Sequence, residues 1–121
     1  MEDKIILKIP KRAISLNSIY RVSFNKHVYM VKRAKIWKQD FQNIIREQFI
    51  GDPIETPIAL TVVYSFNDNK LLDLDNLLKI TADSLKGVIF KDDHQIISIS
   101  AHKKMNQLID HITIVIDKLN Y

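Results

Sequence analysis

The second half of the chain holds two pairs of acidic side chains whose spacing suits metal chemistry. Asp73 and Asp75 are two residues apart where a predicted loop passes into a helix, and an extended backbone there turns both carboxylates to one side. Asp92 and Asp93 form the second pair, and a turn at Gly87 allows the connection that carries them to return beside the start of the helix. Carboxylates without cysteine suit a hard cation such as Mg²⁺ or Mn²⁺. The pattern therefore predicts a divalent metal site.

The same residues also have ordinary structural interpretations. Asp75 stands where a helix needs an N-cap, and aspartate is a common capping residue. An Asp-Asp pair is equally common in a solvated turn. Lys79 lies one helical turn from Asp75 and from Asp83, where a surface ion pair contributes only about a few tenths of a kcal/mol. Spacing alone leaves the metal site and these structural roles open.

Residues 73–95, D-L-D-N-L-L-K-I-T-A-D-S-L-K-G-V-I-F-K-D-D-H-Q, resemble the signature of the RusA family of Holliday-junction resolvases. In that family a run D-x-D-N-x-x-K-x-x-x-D-x-L is followed by a short glycine-containing turn and then by D-D-x-Q. The segment S-L-N-S-I-Y at residues 15–20 also resembles the family. The resemblance implies a crossover-junction endodeoxyribonuclease that acts on four-way branched DNA in recombination and repair.

The resemblance also implies roles for individual residues. Asp73, Asp75 and Asp93 match the catalytic carboxylates that bind Mg²⁺, and Lys79 matches an essential active-site base. A shift of one residue in the match exchanges Asp92 with Asp93, so the third ligand stays open between them. The bound ion is expected to activate water and to neutralise charge during attack on the phosphodiester. No small-molecule cofactor is expected.

Positive charge is concentrated at the front of the chain. Residues 1–46 carry 11 Lys and Arg against 3 Asp and Glu, a net charge of +8, while the remaining residues have a net charge of −4. Such a basic section suits contacts with DNA phosphates. The predicted DNA-binding residues lie in or beside a long N-terminal loop: Asn17, Tyr20, Arg21, Lys26, Lys32, Arg33 and Lys35. Scattered solvated lysines are the alternative interpretation.

The elements that must position these residues form an α+β pattern. Hydrophobic periodicity predicts a strand at 4–9, a loop at 10–26, a short strand at 27–31, a helix at 34–50, a strand at 57–66, a helix at 75–86, and a β-hairpin from strands 96–104 and 110–118. We therefore expect a small mixed β-sheet packed by two helices, RusA-like, in one domain over residues 1–121.

Composition narrows the class of protein. The chain has 121 residues and no cysteine, which excludes disulfide frameworks and thiolate chemistry. No apolar stretch approaches the roughly 18 residues of a membrane span. The N-terminal segment M-E-D-K is unlike a secretory signal. We expect a cytoplasmic protein with no membrane partner.

The resemblance also indicates an assembly. A Holliday junction has near two-fold symmetry, so we expect a homodimer that presents one acidic site to each of two opposed strands. The alternatives are a non-catalytic DNA-binding accessory protein of replication or recombination, and a metal-dependent phosphatase of small molecules. The basic front section would have no role in the phosphatase.

Overall fold

The main sheet is built around the most apolar strand of the chain. The computed structural model describes residues 3–15, 20–22, 28–30 and 32–120, with the backbone alone for the two short middle ranges. In chain order the elements are β1 (Lys4–Ile9), β2 (Tyr20–Val22), β3 (Val28–Met30), α1 (Lys32–Gln48), β4 (Ile58–Ser65), α2 (Leu74–Leu85), β5 (Ile96–Lys104) and β6 (His111–Lys118). One turn of 3-10 helix, Asp93–Gln95, leads directly into β5.

The sheet is mixed, as expected for an α+β domain. Its strand order is β1-β6-β4-β5, with β6 antiparallel to both of its neighbours and β4 parallel to β5. β2 and β3 form a separate two-stranded sheet. β3 confirms the predicted short strand, but β2 lies inside the segment predicted as loop. Three residues are too few to show an alternating pattern, so the sequence gives no periodic signal there.

The predicted hairpin between β5 and β6 is wrong, because β4 lies between these strands. The side chains of β4 that face the helices are all fully buried: Ile58, Leu60, Val62 and Tyr64. A strand this apolar belongs in the interior of a sheet. β5 carries exposed Ser98 and Ser100 at mid-strand, so it tolerates an edge position better.

Both helices pack into one core with the sheet. Alternate residues of β1, β4 and β6 are buried in this core, and α1 contributes Trp37 and Phe41, whose rings stack with centroids 4.9 Å apart. α2 contributes Leu77, Ile80 and Leu85. Among the helices of the described ranges, none is long and apolar enough to cross a bilayer. The two-layer arrangement leaves the ends of α2 at the surface.

The end of α2 is set by Gly87. This residue has φ of +81°, a left-handed conformation that glycine adopts without steric cost. Its N–H donates to Phe90 O at 2.7 Å, and the N–H of Ile54 donates to Ile89 O at 2.8 Å. The turn therefore fixes the connection that carries the second acidic pair.

Candidate active site

Asp73 and Asp75 stand at the N-terminal end of α2 with their carboxylates exposed. The N-cap position belongs to Asp73, with Asp75 in the first turn, so the interpretation of Asp75 as the cap is wrong. The Asp73 side chain makes no capping hydrogen bond. Within the described part of the chain, neither carboxylate has a hydrogen bond or an ion pair. The positive end of the helix dipole favours both negative charges, and their oxygens fit the ligand preference of Mg²⁺.

Lys79 lies one turn further along α2 and is exposed. It forms no ion pair with Asp75 or Asp83 in the described residues, because Asp83 instead pairs with Lys38 of α1 at 2.8 Å. The surface-pair interpretation of Lys79 is therefore not supported. Its ammonium group has no hydrogen bond or ion pair with the described residues, and it belongs to the same helix as Asp75, one turn further along.

The second acidic pair is held in place by the hydrogen bonds of the Gln95 side chain, which we call the Gln95 clasp. Gln95 is buried, and its Nε2 donates to Ile54 O at 2.7 Å and to Thr56 O at 2.9 Å. Its Oε1 accepts the N–H of Asp92 at 2.7 Å, while Asp92 Oδ1 accepts the N–H of Asp93 at 2.7 Å. Asp92 and Gln95 therefore have a structural role within the D-D-x-Q sequence.

Asp93 is the member of this pair whose carboxylate is available. Its side chain is 62% exposed and its Oδ2 lies 3.8 Å from Lys86 Nζ. The same Nζ lies 3.8 Å from Asp92 Oδ1, so Lys86 partly neutralises both acids. Because Asp92 is occupied as a cap, the arrangement favours Asp93 over Asp92 as a ligand.

The two acidic pairs lie at opposite ends of α2, so the expected return beside the start of the helix is wrong. Lys86, which contacts Asp93, is the C-cap of the helix, whereas Asp73 is its N-cap. The twelve residues of α2 span about 18 Å. β4 and β5 are parallel, so their connection must return along the whole sheet. In the ranges that the structure describes, no group of three His, Cys, Asp or Glu is arranged to hold a metal ion.

Lys103 is a site neighbour that sequence reasoning missed. Its Nζ donates to Leu72 O at 2.5 Å and so ties the C-terminal end of β5 to the residue before Asp73. In register Lys103 pairs with Tyr64, whose side chain is buried against the helices. The available signal was a lysine at an inward-facing position of an alternating strand.

Arg12 braces the loops around the same end of the sheet. Its guanidinium pairs with Asp68 and with Asp110, each at 3.1 Å, and lies 4.9 Å from the centre of the Phe66 ring. Part of the positive charge of the front section therefore forms ion pairs within the protein. These ion pairs hold the loop that follows β4 and leads toward Asp73.

The predicted DNA-binding residues fall into three groups. Outside the described residues lie Asn17 and Lys26. On β2, described for its backbone alone, lie Tyr20 and Arg21. In the first turn of α1, exposed and without a neighbouring acid in that turn, lie Lys32, Arg33 and Lys35.

The fold and these side chains define a small α+β domain with a carboxylate-rich surface site and a basic helix start. The family model described as Endodeoxyribonuclease RusA matches residues 14–117, which is most of the chain. The chain therefore belongs to the RusA endodeoxyribonuclease family, whose endonucleases resolve Holliday junctions. The resemblance found in the D-x-D-N and D-D-x-Q sequences is confirmed. No curated protein matches the chain.

Proposed function

We propose that this protein is a structure-specific endodeoxyribonuclease that resolves Holliday junctions by Mg²⁺-dependent phosphodiester hydrolysis, with Mn²⁺ as a substitute, in DNA recombination and repair. Family membership supports the reaction class. The observation that carries the proposal is that the carboxylates of Asp73 and Asp75, and the ammonium of Lys79 one turn along α2, have no hydrogen-bond or ion-pair partner among the described residues. Carboxylate oxygens that are exposed and have no partner in the described residues are suited to bind an external hard cation.

In this proposal each residue of the site has a distinct role. Asp73 and Asp75 supply oxygen ligands, and Mg²⁺ when bound activates water and offsets developing negative charge. The Lys79 ammonium stands one turn along the same helix, and its flexible stem carries positive charge to a phosphate that the carboxylates alone would repel. That charge stabilises the transition state more than the bound substrate.

A homodimer accounts for the third carboxylate. Within one chain Asp93 lies at the far end of α2 from Asp73, and the described residues of a single copy bring no third carboxylate to either place. We propose that each site takes Asp73 and Asp75 from one copy and Asp93 from the other. A two-fold dimer then carries two equal sites, which suits the paired nicks that a four-way junction requires.

The basic residues supply the grip on DNA. Lys32, Arg33 and Lys35 at the start of α1 are proposed to contact phosphates, which position a duplex without reading its sequence. We expect junction binding to weaken steeply with salt, and this result would separate the proposed role from that of a small-molecule phosphatase, for which no such dependence is expected.

The test uses a labelled synthetic four-way junction and a linear duplex of matching sequence. Each is incubated with the full chain in Mg²⁺, in Mn²⁺ or in chelator. We expect paired symmetric nicks in the junction alone, and only with metal. Binding to the junction without nicks in any divalent metal would contradict the proposal and favour a non-catalytic accessory protein.

A further inference from the structure

The loop between β5 and β6, residues 105–110, presents apolar side chains to solvent. Leu108 is 93% exposed, the highest value among the large apolar residues of the described ranges, and its neighbour Ile109 is 62% exposed. An open cavity of about 370 Å³ with an apolar lining adjoins this loop, and its walls are Lys8, Ile9, Pro10, Ile109 and His111. An exposed apolar tip beside an apolar cavity is typical of a binding site.

The β5–β6 loop is held firmly against the loop that follows β4. The Asn67 side chain donates to Gln107 O at 3.1 Å and to Leu108 O at 2.6 Å. The N–H of Asn106, a residue with φ of +55°, donates to Asp68 O at 3.0 Å. The backbone that carries the Leu108 side chain is therefore fixed before any partner arrives, so binding through it costs little conformational entropy.

This loop stands at the end of the sheet that holds the first acidic pair. β5 ends and β6 begins beside Ser65, the last residue of β4. Lys103, one residue before the end of β5, is bonded to Leu72, the neighbour of Asp73. The cavity borders β1 and β6, and the three strand spacings from β1 to β5 amount to about 14 Å. This distance is near four base steps of a DNA duplex, at about 3.4 Å each.

The charge around the loop and the cavity is positive. Lys8 at the cavity and Lys104 at the end of β5 form no ion pair within the described residues. The acids of the two loops, in contrast, are already neutralised, since Asp68 and Asp110 both pair with Arg12. Free lysines beside an apolar cavity suit a polyanion that also carries flat apolar groups. An unstacked stretch of DNA offers both, with phosphates for the lysines and a base for the cavity.

We propose that Leu108 wedges into the branch point of a DNA junction and that the cavity beside Ile109 receives the base that Leu108 displaces. This inference deepens the proposed function, on which it rests for its DNA partner. Apolar side chains that enter a base step unstack it, and the cost is lowest where base pairing is already interrupted. The wedge therefore favours a junction over a linear duplex without reading sequence.

The test uses 2-aminopurine, an adenine analogue whose fluorescence rises when it leaves the base stack. It is placed at one position at a time, within about four nucleotides of the crossover in a synthetic four-way junction. The full chain is added in chelator, so that no strand is cut. We expect the parent to raise the fluorescence at one or more of these positions.

Variants of exposed residues assign the rise to the loop. Leu108→Ser should abolish the rise and weaken junction binding about tenfold, while its affinity for a linear duplex stays unchanged. Leu108→Met keeps an apolar tip and should retain both properties. Ile109→Ser removes one wall of the cavity and should lower the rise. Ile50→Ser is the matched control, because Ile50 is 91% exposed after the end of α1, and it should behave as the parent.

Several results would overturn the inference. These are a rise that persists in Leu108→Ser, equal losses of junction and duplex affinity in that variant, or a loss as large in Ile50→Ser. An unchanged rise in Ile109→Ser would overturn the role of the cavity. The thermal midpoint of each variant is measured alongside, and all four positions are exposed or half-exposed at the surface, so we expect it to stay at the parent's value.

None of these measurements needs cleavage, so the two proposals fail separately. A parent that unstacks the base through Leu108 but nicks no junction in any divalent metal supports the wedge and contradicts the endonuclease. A parent that nicks junctions while 2-aminopurine stays stacked at every position overturns the wedge and leaves the endonuclease standing.

Discussion

Replacing Gln95 with alanine should destabilise the protein far more than replacing an exposed glutamine. The Gln95 side chain is 5% exposed and makes three hydrogen bonds with main-chain groups of Ile54, Thr56 and Asp92. Its removal breaks all three hydrogen bonds and leaves Thr56 O and the Asp92 N–H without this partner, while Ile54 O still accepts the Lys91 N–H at 3.2 Å. At roughly 1 kcal/mol for each lost hydrogen bond, the free energy of unfolding should fall by about 3 kcal/mol.

For a chain of 121 residues this loss lowers the thermal midpoint by about 12 °C, from an unfolding entropy near 0.25 kcal/mol/K. The assay is urea unfolding with a calorimetric scan at one protein concentration. Gln39→Ala is the matched control, because Gln39 is exposed on α1, and its loss should change the free energy by under about 0.5 kcal/mol. A Gln95→Ala loss below about 1 kcal/mol would refute the clasp.

Three further substitutions test the site. Asp75→Asn removes a proposed ligand charge, so cleavage should fall by orders of magnitude while junction binding survives in a mobility-shift assay; joint loss of both would indicate a structural role. Lys79→Ala should slow single-turnover cleavage at least ~100-fold, a loss of about 2.7 kcal/mol of transition-state stabilisation, with an unchanged thermal midpoint. A rate within about threefold of the parent would show that Lys79 has no part in cleavage. Lys103→Met keeps the aliphatic stem but loses the bond to Leu72 O, so half-maximal cleavage should need about tenfold more Mg²⁺; an unchanged Mg²⁺ titration would contradict a positioning role.

Local patterns predicted the elements well, since each depends on residues close in sequence. The end of α2 at Gly87 follows from short-range rules for helix ends, whereas its N-cap is Asp73, two residues before the predicted cap at Asp75. Lys79 was placed on the correct helix, one turn after Asp75. These features need no knowledge of the rest of the fold, so sequence alone sufficed.

The relation between the two acidic pairs could not be predicted locally. It depends on whether β5 pairs with β6, its neighbour in sequence, or with β4, which precedes it by a helix. The short connection between β5 and β6 favours a hairpin. The apolar β4, however, requires a strand on each side, and this long-range requirement places β5 beside β4. With β5 parallel to β4, α2 must separate Asp73 from Asp93.

The contact between Lys103 and Leu72 could not be predicted for a similar reason. Its contact with Leu72 joins residues 31 positions apart and exists only because β5 and the start of α2 meet at one end of the sheet. The role of Gln95 is likewise non-local, since its amide reaches carbonyls at Ile54 and Thr56. Patterns in one segment carry no information on such contacts.

The central claim is that each active site is shared by two copies of the chain, and mixing two inactive variants tests it most directly. Asp75→Asn and Asp93→Asn are each expected to be inactive alone, and the two variants are unfolded together and refolded at equal concentration. A heterodimer with shared sites contains one site that lost both residues and one that lost neither. The account expects about one quarter of the parent's sites to return, as metal-dependent single nicks in the four-way junction. No recovery from a mixture shown to contain heterodimers would contradict it.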